Sequence, residues 1–217
     1  MTIRWGIVSA GKISSDFVNA FNSYPDKGDQ EIVAVAARDM TKAQEFAKLH
    51  NIKKAYDEYD EMAESSDIDV VYIGCLNPHH YEYADIFLMH GKHVLCEKPL
   101  CMTAYQAGGL IDLAREKELF LMEAVWSRFS PAYAEMEKEI AEGKIGEVKF
   151  LEANLGFHAE TERVNKKELS VECCPRRWGI RAAAITINIQ RMADQNKRLR
   201  QLKRRRRRLY GNDYLGL

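Results

Sequence analysis

The sequence predicts an α/β protein: a Rossmann-like, doubly wound parallel sheet, followed by an incomplete α+β second domain and a basic tail. Three observations carry that prediction. Up to about residue 122, short apolar runs of strand length alternate with amphipathic stretches of helix length, the pattern of a parallel sheet covered on both faces. Residues 123–169 then open a further helix and a strand with one wet face, too little sheet to bury itself. Charge, finally, divides the chain: residues 1–162 hold 16 basic and 28 acidic side chains, residues 163–217 hold 16 basic and 4 acidic ones. The formal net charge of zero therefore joins −12 to +12, and residues 170–217 are expected to form a divergent, disordered basic tail.

Each element has its own warrant. Ile3–Ser9 is an apolar run of strand length, and Ile13–Tyr24 follows it with helical spacing. Glu31–Ala37 is a second strand through Ile32, Val33 and Val35; Thr41–His50 is a helix for which Thr41 is the expected cap. Val70–Gly74 is a strand bounded by acidic residues before it and Asn77-Pro78 after it, and His80–His90 is the next helix. His93–Cys96 and Leu119–Glu123 are further strands, separated by a helix over Thr103–Lys117. In the second domain Ser130–Glu142 is a helix ended by Gly143, and Gly146 turns the chain into an alternating strand, Glu147–Phe157.

With 46% hydrophobic residues the composition is that of a globular protein, and the apolar runs are far too short to span a bilayer. The first residues read as a strand and not as a signal peptide, so a cytoplasmic location is expected, with nuclear import through Lys203 to Arg208 as the alternative. Five cysteines (Cys75, Cys96, Cys101, Cys173, Cys174) without paired Cys-x-x-Cys spacing point to reduced thiols and no metal site.

Ligands of such sheets bind outside the carboxyl ends of the strands, so the residues just after each strand are the candidates. The turn Ser9-Ala10-Gly11-Lys12-Ile13-Ser14 leaves the first strand and opens the first helix, where small residues let the backbone approach a pyrophosphate. Ser9 stands at the place of the first glycine of the dinucleotide fingerprint and Ser14 at the third; the alternative is an ordinary strand-to-helix turn. Arg38, just after the second strand, suits a ribose 2′-phosphate and hence NADP over NAD, or else is a solvated strand end. Cys96-Glu97-Lys98-Pro99 would set an ammonium beside a nicotinamide, or form a surface turn. Leu76-Asn77-Pro78-His79-His80 and Trp126-Ser127-Arg128-Phe129 follow the same logic; their plainer readings are a helix start and packing with a surface charge.

In this order and spacing these motifs, continued by Leu121-Met122-Glu123-Ala124-Val125-Trp126, resemble the Gfo/Idh/MocA oxidoreductase family over about residues 2–169. The resemblance, strongest in Arg4–Ser9, Ile13–Phe17, Val33–Asp39 and Val94–Pro99, implies an NADP-dependent dehydrogenase that oxidises a vicinal diol or a sugar hydroxyl such as that of D-xylose. It implies that Ser9, Gly11 and Ile13 line the pyrophosphate, that Arg38 takes the 2′-phosphate, and that Leu76, Asn77 and His80 flank the cofactor. Glu97 and Lys98 would sit at the nicotinamide, with Lys98 catalytic, and Trp126 and Arg128 near the substrate or cofactor edge.

After Leu169 the family pattern stops. The Gly-rich turn, the Asp-x-Gly-x-Tyr helix start whose Tyr shares proton transfer with the Lys, and the open sheet that binds substrate and forms the homodimer are all missing; no Tyr occurs between Tyr133 and Tyr210. A one-base shift of a degenerate back-translation of Pro175–Arg181 yields Leu-Asp-Val-Gly-Val-Tyr, so the tail is expected to be read out of frame, and turnover to be impaired. The cations Lys197, Arg198, Arg200 and Lys203–Arg208 offer a rival, noncatalytic reading as a nucleic-acid contact, but no aromatic is interleaved within the run for base stacking.

Overall fold

The computed structural model describes residues 2–148 and residue 150. They begin with six parallel strands in the order β3-β2-β1-β4-β5-β6. Along the chain these are β1 (Ile3–Val8), α1 (Lys12–Ser23), β2 (Gln30–Ala36), α2 (Met40–His50), β3 (Lys54–Tyr56), α3 (Tyr59–Glu64), β4 (Val70–Ile73), α4 (His80–Met89), β5 (His93–Glu97), α5 (Ala104–Glu116) and β6 (Leu121–Ala124). The order reverses between β1 and β4, which opens a crevice at their carboxyl ends.

The strands are apolar on both sides because both sides are covered. Val8, Ala34, Ala36, Val71, Ile73, Val94 and Cys96 pack on one face with residues of α3, α4 and α5. Ile7, Val35 and Tyr72 pack on the other with Val18 of α1 and Phe46 and Ala47 of α2. At the amino ends of the strands, Arg4 makes a bidentate contact with Asp69, Nε to Oδ2 at 3.0 Å and Nη2 to Oδ1 at 2.7 Å, which fixes β1 against the start of β4. The crevice lies at the opposite ends of these strands.

Two elements escaped the sequence reading. β3 has three residues and α3 six, both shorter than the periods that reveal strand or helix, and they fill the span between α2 and β4. The cap of α2 is Asp39 and not Thr41: its carboxylate accepts from the amides of Thr41 (2.9 Å) and Lys42 (3.4 Å), so Thr41 is one of the residues being capped. β6 begins two residues later than expected because the α5 terminus takes up Glu118, at φ 55°, and Leu119, whose amide bonds to Ala114 O.

The chain divides into two compact units, the first ending at Val125. In the second, a 3-10 turn over Trp126–Phe129 leads into α6 (Pro131–Ala141), and Gly143 at φ 77° follows its end. The strand expected over Glu147–Phe157 falls, apart from residues 147, 148 and 150, outside the described residues, as do Cys173, Cys174 and the basic run. Among the described residues no helix is long and apolar enough to cross a membrane.

Candidate functional site at the carboxyl ends of β1, β2, β4 and β5

Ser9 ends β1 in the left-handed region, φ 82°, where glycine is the residue of least strain, and its amide bonds to Ala36 O at 2.8 Å. Gly11 is the N-cap of α1; no side chain caps this helix and its first turn holds no acidic residue. The amides there, with the positive end of the helix dipole, are open to an anion. Nothing in the protein demands glycine at Gly11: its φ is −92°, and an added Cβ would lie 3.8 Å from Ser9 Oγ and 3.9 Å from Gly74 O, ordinary contacts.

Gly74 is a different case. A Cβ there would fall 2.4 Å from Ser14 Oγ and 2.9 Å from Tyr72 Cε1, so this glycine lets α1 lie close to β4. Ser14, fully buried at the fingerprint's third position, serves the same packing, and its hydroxyl finds no partner among the described residues. Close packing of helix on strand, one task of a glycine in the fingerprint, is thus shared here by Ser14 and Gly74.

Beyond the end of β2, Arg38 is exposed. Burial pushes the Cys75 thiol up to about 12, with Arg38 opposing. Burial also raises Cys96 well above the ordinary thiol value and takes Cys101 to about 11, so the three thiols are protonated at neutral pH. All three are free of disulfides.

At the end of β5, Glu97 is held at both oxygens: Oε1 accepts from Tyr72 OH at 3.0 Å and Oε2 from the Lys98 amide at 3.1 Å. Tyr72 is itself fixed by face-to-face stacking on Phe17 of α1, centroids 3.9 Å apart at 4°. Burial and then the Glu97 charge push its phenol well above the ordinary value, so Tyr72 stays a donor. Lys98 is half-buried and joined to Pro99 by a cis peptide bond; the next loop residue, Leu100, donates its amide to Glu123 Oε1 of β6 at 3.0 Å.

His80, expected to flank a cofactor, lies inside the fold. Its ring is fully buried, with Nδ1 2.7 Å from Pro99 O and Nε2 3.2 Å from Cys75 O. It packs between the Lys98 loop and the loop after β4. Burial lowers its pKa against the pull of the two carbonyls, so the ring is neutral and donates across the shorter contact. Asn77 opens a 3-10 turn, Asn77–His79, with Leu76 just before it; Leu76 and Ile13 expose apolar side chains. Trp126 and Arg128, both exposed, lie in the first turn of the second unit. The described residues contain no cluster of side chains suited to a metal ion.

The sequence did not single out Tyr59, Tyr72, Gly74 or Tyr83. Tyr72 reads simply as strand, and only alternation separates it from Val71 and Ile73, which face the opposite core.

Residues 3–125 match the model of the Gfo/Idh/MocA oxidoreductase family, described as having an NAD-binding Rossmann fold. The chain belongs to that family. It is 48% identical over 170 residues to a trans-1,2-dihydrobenzene-1,2-diol dehydrogenase of Xenopus tropicalis, covering 78% of this chain and 51% of that protein. The Danio rerio protein of the same name is 47% identical over 156 residues, covering 72% and 46%. The chain thus spans about half the length of these curated relatives. Among solved structures it resembles a Klebsiella pneumoniae NAD-binding oxidoreductase (30% identity, TM-score 0.64, 68% of this chain and 40% of that one). It also resembles KijD10, a 3-ketoreductase from Actinomadura kijaniata solved with NADP (32%, TM-score 0.62, 68% and 44%).

Proposed function

We propose that this chain binds NADP across the carboxyl ends of β1, β2 and β4 and carries the cofactor half of a dehydrogenase acting on a vicinal diol or a sugar hydroxyl. The observation that carries the reading is the uncapped start of α1 behind Gly11, where the protein leaves room for a Cβ that the sequence does not supply. A pyrophosphate accounts for both, since it takes the free amides and occupies the space. Ser9 and Ile13 flank that place, Arg38 suits the 2′-phosphate, and Leu76 and Asn77, after β4, are proposed to flank the cofactor.

Bound NADP supplies the hydride acceptor. The chain's own work is to hold and orient. Phe17 sets Tyr72, Tyr72 sets Glu97, and Glu97 holds the Lys98 amide, while His80 fixes the other side of the loop. The Lys98 ammonium would donate a hydrogen bond to the substrate oxygen and steady the alkoxide as its proton leaves. The family's Asp-x-Gly-x-Tyr partner for Lys98 is missing from the sequence, so proton transfer is incomplete and turnover is expected to be strongly reduced. That departure favours a second reading, an NADP-binding protein without catalysis.

Fluorescence titration with NADPH, beside an assay of NADP reduction with a trans-dihydrodiol or D-xylose, tests these readings. Saturable NADPH binding with little or no turnover is expected. Efficient turnover by the purified chain contradicts the impairment, and absence of NADPH binding contradicts the cofactor assignment.

A further inference from the structure

Glu123 breaks the apolar pattern of β6. The strand reads Leu121-Met122-Glu123-Ala124, and alternation puts Glu123 on the same face as Leu121, which packs against the core shared with α4 and α5. A half-buried carboxylate on the core-facing side of a strand is costly unless something hydrogen-bonds it. The partner is the Leu100 amide, which donates to Glu123 Oε1 at 3.0 Å. Leu100 belongs to the loop of residues 98–102 between β5 and Thr103, the cap of α5, and its side chain packs against the same core.

The main chain of this loop is held by side chains from three separate elements. The Lys98 amide donates to Glu97 Oε2 at 3.1 Å, and Glu97 is itself fixed by Tyr72 of β4. Pro99 has no amide to offer, and its carbonyl lies 2.7 Å from Nδ1 of His80 at the start of α4. The Leu100 amide goes to β6. Cys96 and Glu97 of β5 pair in register with Glu123 and Ala124 of β6, so two carboxylates grip the loop from adjacent strands, one on either side of Pro99. Hydrogen bonds to a charged acceptor are about twice as strong as neutral ones. A loop without regular structure owes its fixed place to such bonds, and Lys98 takes its place from the loop.

We infer that Glu123 is a positioning residue: by holding the Leu100 amide it sets the Lys98 ammonium against the nicotinamide end of a bound dinucleotide. The inference rests on the dinucleotide reading above, which it deepens. Glu97 and His80 hold Lys98 and Pro99 through β4 and the start of α4, whereas Glu123 holds the loop from β6. Without the β6 bond the loop is free to tilt about the other two. Glu123 acts through Lys98, so its loss moves that side chain and leaves the affinity for NADPH, which the reading assigns to the α1 start and Arg38, nearly intact.

The test is lysine labelling of the full chain by an amine-reactive succinimidyl ester, read peptide by peptide by mass spectrometry, without NADPH and with NADPH at about tenfold excess over its Kd. In the wild type NADPH slows labelling of Lys98 about tenfold, the factor that occupancy sets. In Glu123→Ala the slowing falls to about twofold while the NADPH Kd stays within about twofold. Glu123→Gln, whose amide oxygen still accepts from Leu100, keeps the wild-type slowing. Lys92 reports on the fold: it is 9% exposed and donates to Ser65 O at 2.6 Å and Ile68 O at 3.0 Å, at the opposite ends of the strands, so its labelling is expected to stay the same in every variant. If Glu123→Ala does not fold, Glu123→Asp, one methylene too short for the amide, takes its place with the same expected result. Undiminished slowing in a folded variant, a change shared with Lys92, or no rescue by glutamine overturns the inference and leaves the dinucleotide reading standing. NADPH that binds the wild type without slowing Lys98 overturns the place given to Lys98, and this inference with it. A wild-type chain that binds no NADPH overturns the dinucleotide reading as well.

Discussion

Two glycines of the site make opposite demands, and substitution separates them. At Gly74 an added Cβ meets Ser14 and Tyr72 inside normal contact distance, so Gly74→Ala is expected to destabilise the chain by about 1–3 kcal/mol in urea unfolding. At Gly11 the added Cβ meets only ordinary contacts, so Gly11→Ala should cost no more than the about 1 kcal/mol of an alanine at a helix N-cap, while weakening NADPH about tenfold. Undiminished NADPH affinity would show that the open space serves no ligand. His80 gives a prediction in pH. Its folded pKa is lowered by burial, with Glu97 opposing and Lys98 reinforcing the shift, so the unfolded chain takes up the proton first as pH falls. The stability this contributes is complete above about pH 6.5 and drains as pH falls toward the folded value. Urea unfolding at pH 7.5 and 5.5 should show the loss in the wild type and a smaller loss in His80→Gln; equal losses would contradict it.

The elements were legible wherever they were long enough to show a period. β1, α1, β2, α4 and α5 all fall within one residue of the spans expected from alternation and caps. β3 and α3, with three and six residues, were not, so the span between α2 and β4 stayed unread. Distance along the chain hid the rest: Phe17, Tyr72 and Glu97 come from α1, β4 and β5, and only the sheet order makes them neighbours. The Phe17–Tyr72 stack fastens α1 to the middle of the sheet. Phe17→Ala is expected to cost about 2–4 kcal/mol in thermal or urea unfolding. Tyr72→Phe, which keeps the stack and loses one hydrogen bond, should cost about 1 kcal/mol. If both cost the same, the stack is not what holds α1.

For the molecule as a whole, the zero net charge conceals an acidic segment that carries the family motifs and a basic one that does not. The first 125 residues bring together Ser9, Gly11, Ile13, Arg38, Leu76, Asn77, Glu97 and Lys98 from four strand ends. The central claim is that the reversal between β1 and β4 is a dinucleotide site. Thermal unfolding of the full chain over a series of NADPH concentrations tests it most directly, because a ligand of the folded state alone adds about 2.7 kcal/mol at a hundredfold excess over Kd. The melting temperature is expected to climb steadily with NADPH and less with NADH at equal concentration. A melting temperature that neither dinucleotide moves at millimolar concentration would contradict it.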